Sequence, residues 1–567
     1  MEYRQGGHLI SIAVGPVQSF IAAARRTRDL WFGSYLLSEI SKAAAKYLHD
    51  SGSELIFPSP QSPKDLDKDS AFGGANKILA VTGSGANPET VFAETKKACL
   101  DRWRELADEV YQRSASAVDK DLFTSQVEDA LVVYGAWVRC SGDYSRDRDL
   151  VERLLRNRKE LRDFGPAEGR QGVPKSSLDG ARESVLLNTD IAQAFRQRSK
   201  IKKGEHLDAV GLIKRVGGGT RPYPSVADIA CSPWLRKIES SGAANSMETL
   251  EIISSTSRRK GFGTRLRGIR TELVDGTFCY RSRMEDVKAD NDLSDEEIKS
   301  VDNALRDLGK DYGNPTPYMA ILIADGDHMG RTITSITTLE GHREFSRALS
   351  HFAGEVEGIV AENLGSLVYS GGDDVVAFLP VDKALKAARD LHDRFSQIMG
   401  ECVSPAPTLS VGLGVCHFME PMADILKAGR RAEVLAKEPD RDGLAVSIVK
   451  RATGVSRDVR GRFGDRPDDL IQMWMNHLKE GRVSARAAFH LEEIANFYDE
   501  WPEETEGLEK LIKMDVERML KKKRSDFGSI PREMVDCILQ HSSTASSLKK
   551  QSDIIICARY LAALEVD

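Results

Sequence analysis

The sequence predicts an α+β protein of several domains, and three observations carry that expectation. The chain has 567 residues, and roughly 100–200 residues make one domain, so about three to five units are expected. Residues 318–450 alternate short apolar runs with amphipathic helical stretches. Beyond residue 465 the apolar period is helical throughout.

The first unit is assigned to residues 1–140. HLISIAV (8–14) reads as a strand that Gly15 and Pro16 end. A long helix follows over 20–48, interrupted near Gly33, with Leu36, Leu37, Ile40, Ala44 and Leu48 as its apolar stripe. ELIFP (54–58) and the end of FGGANKILAVTG (72–83) read as further strands, and 91–117 as a helix. Residues 141–315 read as a mostly helical insert, with helices near 148–162, 186–197 and 294–308. GVPKSSLDGARES (172–184) and VGGGTRPYPSVADIA (216–230) are its turn-rich loops.

The next unit, 316–453, is the most regular. YMAILIADGDHMG (318–330) is an apolar strand running into an acidic turn. Phe345, Leu349, Phe352, Val356 and Ile359 mark one face of a helix over 341–360. LVYSGGDDVVAFLP (367–380) is two short apolar strands about a turn, and 383–399 is helical. LSVGLGVCHF (409–418) alternates with period two, as a strand does. A helix over 420–437 and the strand GLAVSIVK (443–450) complete a ferredoxin-like split βαβ order with an addition at its end. Residues 454–469 read as an exposed linker. A C-terminal helical unit, 466–567, follows, with helices at 467–478, 484–498, 506–523, 531–540 and 548–564.

Composition narrows the function classes. Charged residues are 29%, hydrophobic ones 41%, and the formal net charge is −6. No run is long and apolar enough to span a bilayer. MEYRQGGHLISIAVG has no signal-peptide pattern, so a cytoplasmic protein without membrane contact is expected. The acidic balance means that any nucleic acid is met by local patches or by a partner. The eight cysteines include no CxxC pair, so structural zinc is not expected and reduced thiols are.

GGDD sits between two apolar runs. Gly371 and Gly372 supply turn geometry, and Asp373 and Asp374 then stand at the mouth of the sheet. Neighbouring strand residues point to opposite faces, so the two carboxylates are expected to play different roles. In a split βαβ sheet the first and third strands are neighbours, which brings Asp325 beside them. Such a carboxylate cluster suits Mg²⁺ or Mn²⁺. Those ions bridge triphosphate oxygens and orient a hydroxyl for in-line attack. Gly and Asp are also plain turn formers, and Asp325 also suits a helix N-cap. The order strand–DGD, helix, strand–GGDD–strand favours the site. Lys437, at the end of its helix, can reach a triphosphate or simply complement the helix C-terminus, as can Arg430 and Arg431.

These stretches carry a family resemblance. ISIAVGPVQSFIAAARRTRDLWFGSYLLS (10–38), ADGDHMG (324–330), YSGGDDVVAFLP (369–380), LSVGLGV and AEVLAKEPDRDG resemble the large palm-domain subunit of type III-B (Cmr) CRISPR effector complexes. More distantly they resemble GGDEF-type nucleotide cyclases and polymerase palms. The resemblance implies two ferredoxin-like palm domains, a helical insert and a C-terminal helical bundle. It implies a target-RNA-activated nucleotidyltransferase that makes cyclic oligoadenylates from ATP, or joins ATP to S-adenosylmethionine. It implies as partners the other subunits of the complex, crRNA and target RNA. By this resemblance the catalytic residues are Asp325, Asp373 and Asp374, and the metal set adds Gly326. The nucleotide-binding set is Gly326, Asp327, Ser370, Gly371, Gly372 and Lys437, with Gln18 and Arg28 from the first palm beside Arg25 and Asp29.

Gly15-Pro16 stands where an active palm has Asp-Gly-Asp, so the first palm is expected to be degenerate and metal-free. Many relatives begin with an HD nuclease domain. Here the first strand starts by residue 8 and His49-Asp50 has no companion cluster, so that activity is not expected. Relatives carry zinc ligands near PKSSLDG, where this chain has Ser176 and Asp179. A non-catalytic scaffold and a stand-alone GTP-using cyclase are the competing functions.

Overall fold

Apolar runs become central strands, and helical stripes cover them. The structure, a computed structural model, describes all residues except 1–5, 71, 162–168, 219–222, 259–263, 266–267, 271, 274, 452–455, 485, 503, 523, 526–527 and 567. Parts of the expected 216–230 loop and 454–469 linker therefore lie outside the described residues.

The first sheet is built from β1 (His8–Gly15), β2 (Glu54–Phe57), β3 (Lys77–Val81) and β4 (Val132–Arg139). Its order is β2-β3-β1-β4, antiparallel at every pairing. Between these strands come α1 (Gln18–Ala22), α2 (Thr27–Asp50), α3 (Pro88–Ser114) and α4 (Lys120–Glu128). Leu36, Ile40 and Ala44 of α2 share a core with Ile10 and Ile12 of β1 and Trp103 of α3. β4 and α4 were not anticipated from sequence, although β4 closes the sheet.

The expected interruption of the long helix falls at residues 23–26 rather than Gly33. The reason lies far away in sequence. The buried Lys214 ammonium donates to the carbonyls of Phe20 and Ala23, at 2.6 and 2.5 Å, and so caps the end of α1. Gly33 lies inside α2, and a Cβ there would sit 3.0 Å from Lys214 Cδ. Its role is to admit the lysine stem.

The insert is mostly helical, as expected: α5 (Tyr144–Glu160), α6 (Asp190–Arg198), α7 (Ala209–Gly217), α8 (Val226–Ser241), α9 (Ala244–Arg258), α10 (Met284–Asn291) and α11 (Asp295–Tyr312). Two short paired strands, β5 (Thr264–Arg265) and β6 (Glu272–Leu273), lie among them.

The second sheet follows with β7 (Tyr318–Gly326), α12 (Met329–Ser335), α13 (Leu339–Glu362), β8 (Ser366–Gly371), β9 (Asp374–Leu379), α14 (Val381–Cys402), β10 (Leu409–His417), α15 (Met422–Lys437), β11 (Gly443–Val449) and β12 (Ser456–Arg462). Its order is β12-β11-β10-β7-β9-β8. The last four, β10-β7-β9-β8, repeat the first sheet's β4-β1-β3-β2, which is the ferredoxin-like order. One face packs Ala320, Leu322 and Ala324 against Phe345 and Phe352 of α13 and Phe395 of α14. The other packs Ile321, Ile323 and Phe378 against Ile425 and Ala428 of α15.

The linker expectation is corrected in part. Residues 456–462 are not a loop but the edge strand β12, antiparallel to β11 in register Val446↔Val459. Arg and Asp keep an edge strand from pairing with other chains, so edge and linker share a composition. The C-terminal helices are α16 (Pro467–Lys479), α17 (Arg486–Asp499), α18 (Leu508–Lys522), α19 (Arg532–Gln540) and α20 (Ala545–Val566), with the small hairpin β13 (Arg524–Ser525) and β14 (Gly528–Ser529). Trp474, Leu491, Ile512 and Cys557 continue the core beneath the second sheet.

Gly412 sets how closely α15 approaches β10. A Cβ there would lie 2.1 Å from the Glu433 backbone nitrogen. Neither backbone can give way easily, so Gly412→Ala is expected to cost about 1–3 kcal/mol. Urea unfolding of the two proteins measures it.

The two sheets meet through the tip of the β2–β3 connection. Gly73 backs onto the Ser370 carbonyl, so that an added Cβ would be 3.3 Å from that oxygen. The Gly74 amide donates to Ser38 Oγ at 2.8 Å. Lys42, one turn on in α2, donates to Ser70 at 3.0 Å. Farther along, Ser59 N donates to Ser346 Oγ at 2.9 Å, and Arg343 pairs with Glu54 at 2.6 Å. The first sheet's unit thus packs against the end of β8 that leads into GGDD.

Candidate active site

Strand register aligns the acidic residues. β7 and β9 pair antiparallel with Ala324 opposite Val375. The same register carries Asp325 opposite Asp374 and Gly326 opposite Asp373. Gly326 is needed there, since a Cβ would lie 2.8 Å from both Cβ and Oδ2 of Asp373. Gly372 turns the hairpin at φ +86°, a conformation that favours glycine. Gly371 leaves room for the Tyr369 phenol, whose oxygen would sit 1.7 Å from an added Cβ. Each glycine of the turn therefore has its own steric cause.

α15 supplies the cations. Lys437 Nζ lies 2.5 Å from Asp325 Oδ2 and 2.6 Å from Glu433 Oε1. Arg430 lies 3.9 Å from Asp374 Oδ1 and 3.4 Å from Glu433 Oε2. Arg431 turns away to Asp458 on β12. Glu433 was not anticipated. The available signal was its place four residues before Lys437, one helical turn below it.

The carboxylates are short of positive charge. Burial pushes Asp373 up to about 7, and the nearby Asp325 adds to the shift. Burial likewise pushes Asp374 up to about 6, against the pull of Arg430. Asp374 Oδ1 is buried and accepts no hydrogen bond. Burial and like charge both disfavour ionisation here.

Other sequence candidates lie elsewhere. Asp327 is 0% exposed. Thr408 Oγ1, Ser410 Oγ and the Asp442 amide all donate to it, at 2.8, 2.8 and 3.0 Å to Oδ2. It ties β7 to β10 and to the turn before β11, with its acceptors already used. Asp327→Ala is therefore expected to destabilise the fold by about 1–3 kcal/mol, since buried donors lose their acceptor. A lowered Tm checks it. Ser370 Oγ donates to the Ala353 carbonyl at 3.3 Å, toward α13. Arg28 sits one turn before Trp31, whose ring stacks on Tyr223 with centroids 5.8 Å apart. The Tyr223 hydroxyl donates to the Leu367 carbonyl, at the end of β8 remote from GGDD. Ten helical residues, about 15 Å, separate Arg28 from Ser38 beside Gly74. Gln18 is exposed at the start of α1. From the first unit Gly73 lies against Ser370, and its neighbour Gly74 donates to Ser38 of α2. Ser176 Oγ donates to Asp208, the cap of α7, at 3.4 Å, and Asp179 accepts from the Ala181 amide at 2.9 Å.

Comparison with known proteins bears on both sheets. Residues 318–445 match the family model described as Cas10/Cmr2, second palm domain. Residues 9–110 match that of CRISPR-associated protein Cmr2, N-terminal. The CRISPR system Cmr subunit Cmr2 of Pyrococcus furiosus is 25% identical over 642 aligned positions, covering 93% of this chain and 70% of the relative. The chain is homologous to Cmr2 and carries a Cas10/Cmr2-type second palm domain. Two solved structures share its fold. A type III-B Cmr-beta structure in the apo state superposes with a TM-score of 0.65 at 13% identity, covering 98% of this chain and 82% of that one. A type III-B Cmr-beta structure bound to cognate target RNA gives 0.63 at 14%, covering 93% and 79%.

In this chain the matched second palm domain contains every residue of the GGDD site. Homology to Cas10/Cmr2 palm domains supports a nucleotidyltransferase-like enzyme. Among the described residues no three His, Cys, Asp or Glu side chains stand in metal-binding geometry. Lys437 already holds one oxygen of Asp325. The donor set nevertheless fits a hard divalent cation: carboxylate oxygens, one of them buried and accepting no hydrogen bond, with charge left unbalanced. Among the described residues no helix is long and apolar enough to cross a membrane.

Proposed function

We propose that this chain is the nucleotide-polymerising subunit of a type III-B-like RNA-guided effector complex. In this reading it converts ATP into cyclic oligoadenylates once target RNA is bound. The observation that carries it is the gathering of Asp325, Asp373 and Asp374 at the strand ends, where Asp374 Oδ1 accepts no hydrogen bond and meets Arg430 only at 3.9 Å. Carboxylates gathered about so little positive charge cost the fold stability and suit a divalent cation.

Asp325, Asp373 and Asp374, with the Gly326 carbonyl, would hold Mg²⁺ or Mn²⁺. The cation would neutralise triphosphate charge and lower the pKa of the attacking ribose hydroxyl. Lys437 and Arg430 then offer positive charge to the phosphates, and the glycines of the turn leave their approach open.

In this reading the first sheet is a metal-free partner palm. β1 ends on Gly15-Pro16 where β7 ends on Asp325-Gly326. Neither the end of β1 nor the approach to β3, Gly73-Gly74-Ala75-Asn76-Lys77, carries a carboxylate. The domain division follows the notional units 1–140, 141–315, 316–453 and 466–567, with β12 added to the third.

The test incubates the assembled complex with ATP, Mg²⁺ or Mn²⁺ and matched target RNA, with and without S-adenosylmethionine, and identifies products by mass. Cyclic adenylates in both mixtures are expected. A conjugate formed only with S-adenosylmethionine would keep the metal chemistry and change the acceptor. Product from GTP rather than ATP would favour a guanylate cyclase, and no product would favour a scaffold.

A further inference from the structure

Asp325 Oδ2 has two claimants. In the reading above it shares a divalent cation with Asp373 and Asp374. In the structure Lys437 Nζ already sits 2.5 Å from it. The lysine is not free to drift, because Glu433 holds it from the other side at 2.6 Å. Glu433 is itself rigidly placed. Its side chain is only 9% exposed, and its backbone nitrogen lies against Gly412 of β10. Asp325 is more open, at 32%. The two partners of Lys437 therefore differ: one is fixed and buried, the other lies at the rim.

The other cation cannot do the same work. Arg430 reaches Asp374 only at 3.9 Å and shares its charge with Glu433. Asp374 Oδ1 accepts no hydrogen bond. Four carboxylates thus share two cations, and Lys437 is the one in contact with a proposed metal ligand. A lysine suits such a place, being a point charge on a flexible stem that can swing without losing its anchor.

We propose that Lys437 is a resident counter-ion at Asp325 that competes with a divalent cation for this carboxylate, and that it swings about Glu433 to the triphosphate when nucleotide arrives. This rests on the metal reading of the three aspartates. Free cation then binds weakly to the empty site. Cation and nucleotide bind together, because the phosphates give the displaced ammonium a new partner. Glu433 is a positioning residue, since it acts through Lys437. The arrangement keeps the empty site closed to bare metal and makes loading depend on the nucleotide–metal pair.

The test measures Mn²⁺ binding to the full chain without nucleotide, from the electron paramagnetic resonance signal of free Mn²⁺. Lys437→Met and Lys437→Gln are compared with the wild type and with Asp373→Asn. The second lysine variant keeps a polar side chain, so the pair separates charge from packing. Both lysine variants are expected to bind Mn²⁺ at least tenfold more tightly than the wild type. Adding a non-hydrolysable ATP analogue is expected to tighten Mn²⁺ binding in the wild type and to do so less in the variants. Equal or weaker Mn²⁺ binding by both lysine variants, with Asp373→Asn still impaired, would overturn the inference and leave the metal reading standing. Binding that Asp373→Asn leaves untouched, or no binding by any protein, would overturn that reading and the inference with it.

Discussion

Asp373→Asn combined with Asp374→Asn is expected to lower nucleotide product by at least about 10²-fold, the scale on which loss of one preorganised charge contact is felt. The substitution keeps shape and removes charge. Asp374 Oδ1 accepts no hydrogen bond and meets Arg430 only at 3.9 Å. The variant should therefore still fold and still enter its complex, which size-exclusion chromatography with the partner subunits checks. Loss of product with assembly intact would separate catalysis from scaffolding. Asp327→Ala should behave differently and lower Tm, since its carboxylate is bonded to β10 and to the turn before β11.

The second large effect is a gain in stability. The unfolded chain releases the Asp373 proton near pH 4. Burial and the nearby Asp325 push this carboxyl up to about 7 in the folded protein. Folding thus favours the protonated form. The cost of the charge is complete above pH 7 and fades as pH falls toward 4. Asn carries no such cost. Asp373→Asn is expected to stabilise the metal-free chain by about 2–4 kcal/mol at pH 8, with little gain left at pH 4.5. Thermal melts in a chelator at the two pH values measure it. Saturating Mn²⁺ should narrow the gap at pH 8, because a cation stabilises only the protein that binds it.

Much of the second sheet was legible because its strands are buried on both faces and bounded by turns. YMAILIA and LSVGLGV could be little else, and their order implied the pairing that sets Asp325 beside GGDD. The failures have physical causes. The break between α1 and α2 is set by Lys214, nearly 190 residues away, and no local pattern records it. β12 carries the charges of an edge strand and so reads as a loop. Asp327 was drawn into the site by its nearness to Asp325. Two residues on, however, the chain has left the strand, and the carboxylate is spent on Ser410 and Thr408. Arg28 shares a signature with Ser38, which holds Gly74, but a helix carries it some three turns away. Glu433 could have been found from its spacing to Lys437 alone. Gly73 could not, because its nearness to Ser370 depends on how two sheets pack.

The most direct measurement is pyrophosphate release from ATP by the assembled complex with Mn²⁺ and matched target RNA, wild type against Asp374→Asn. Steady release by the wild type, near background in the variant and without target RNA, is the expected result. Equal release by both proteins, or none from the wild type, would contradict the assignment of this carboxylate turn as a nucleotidyltransferase centre.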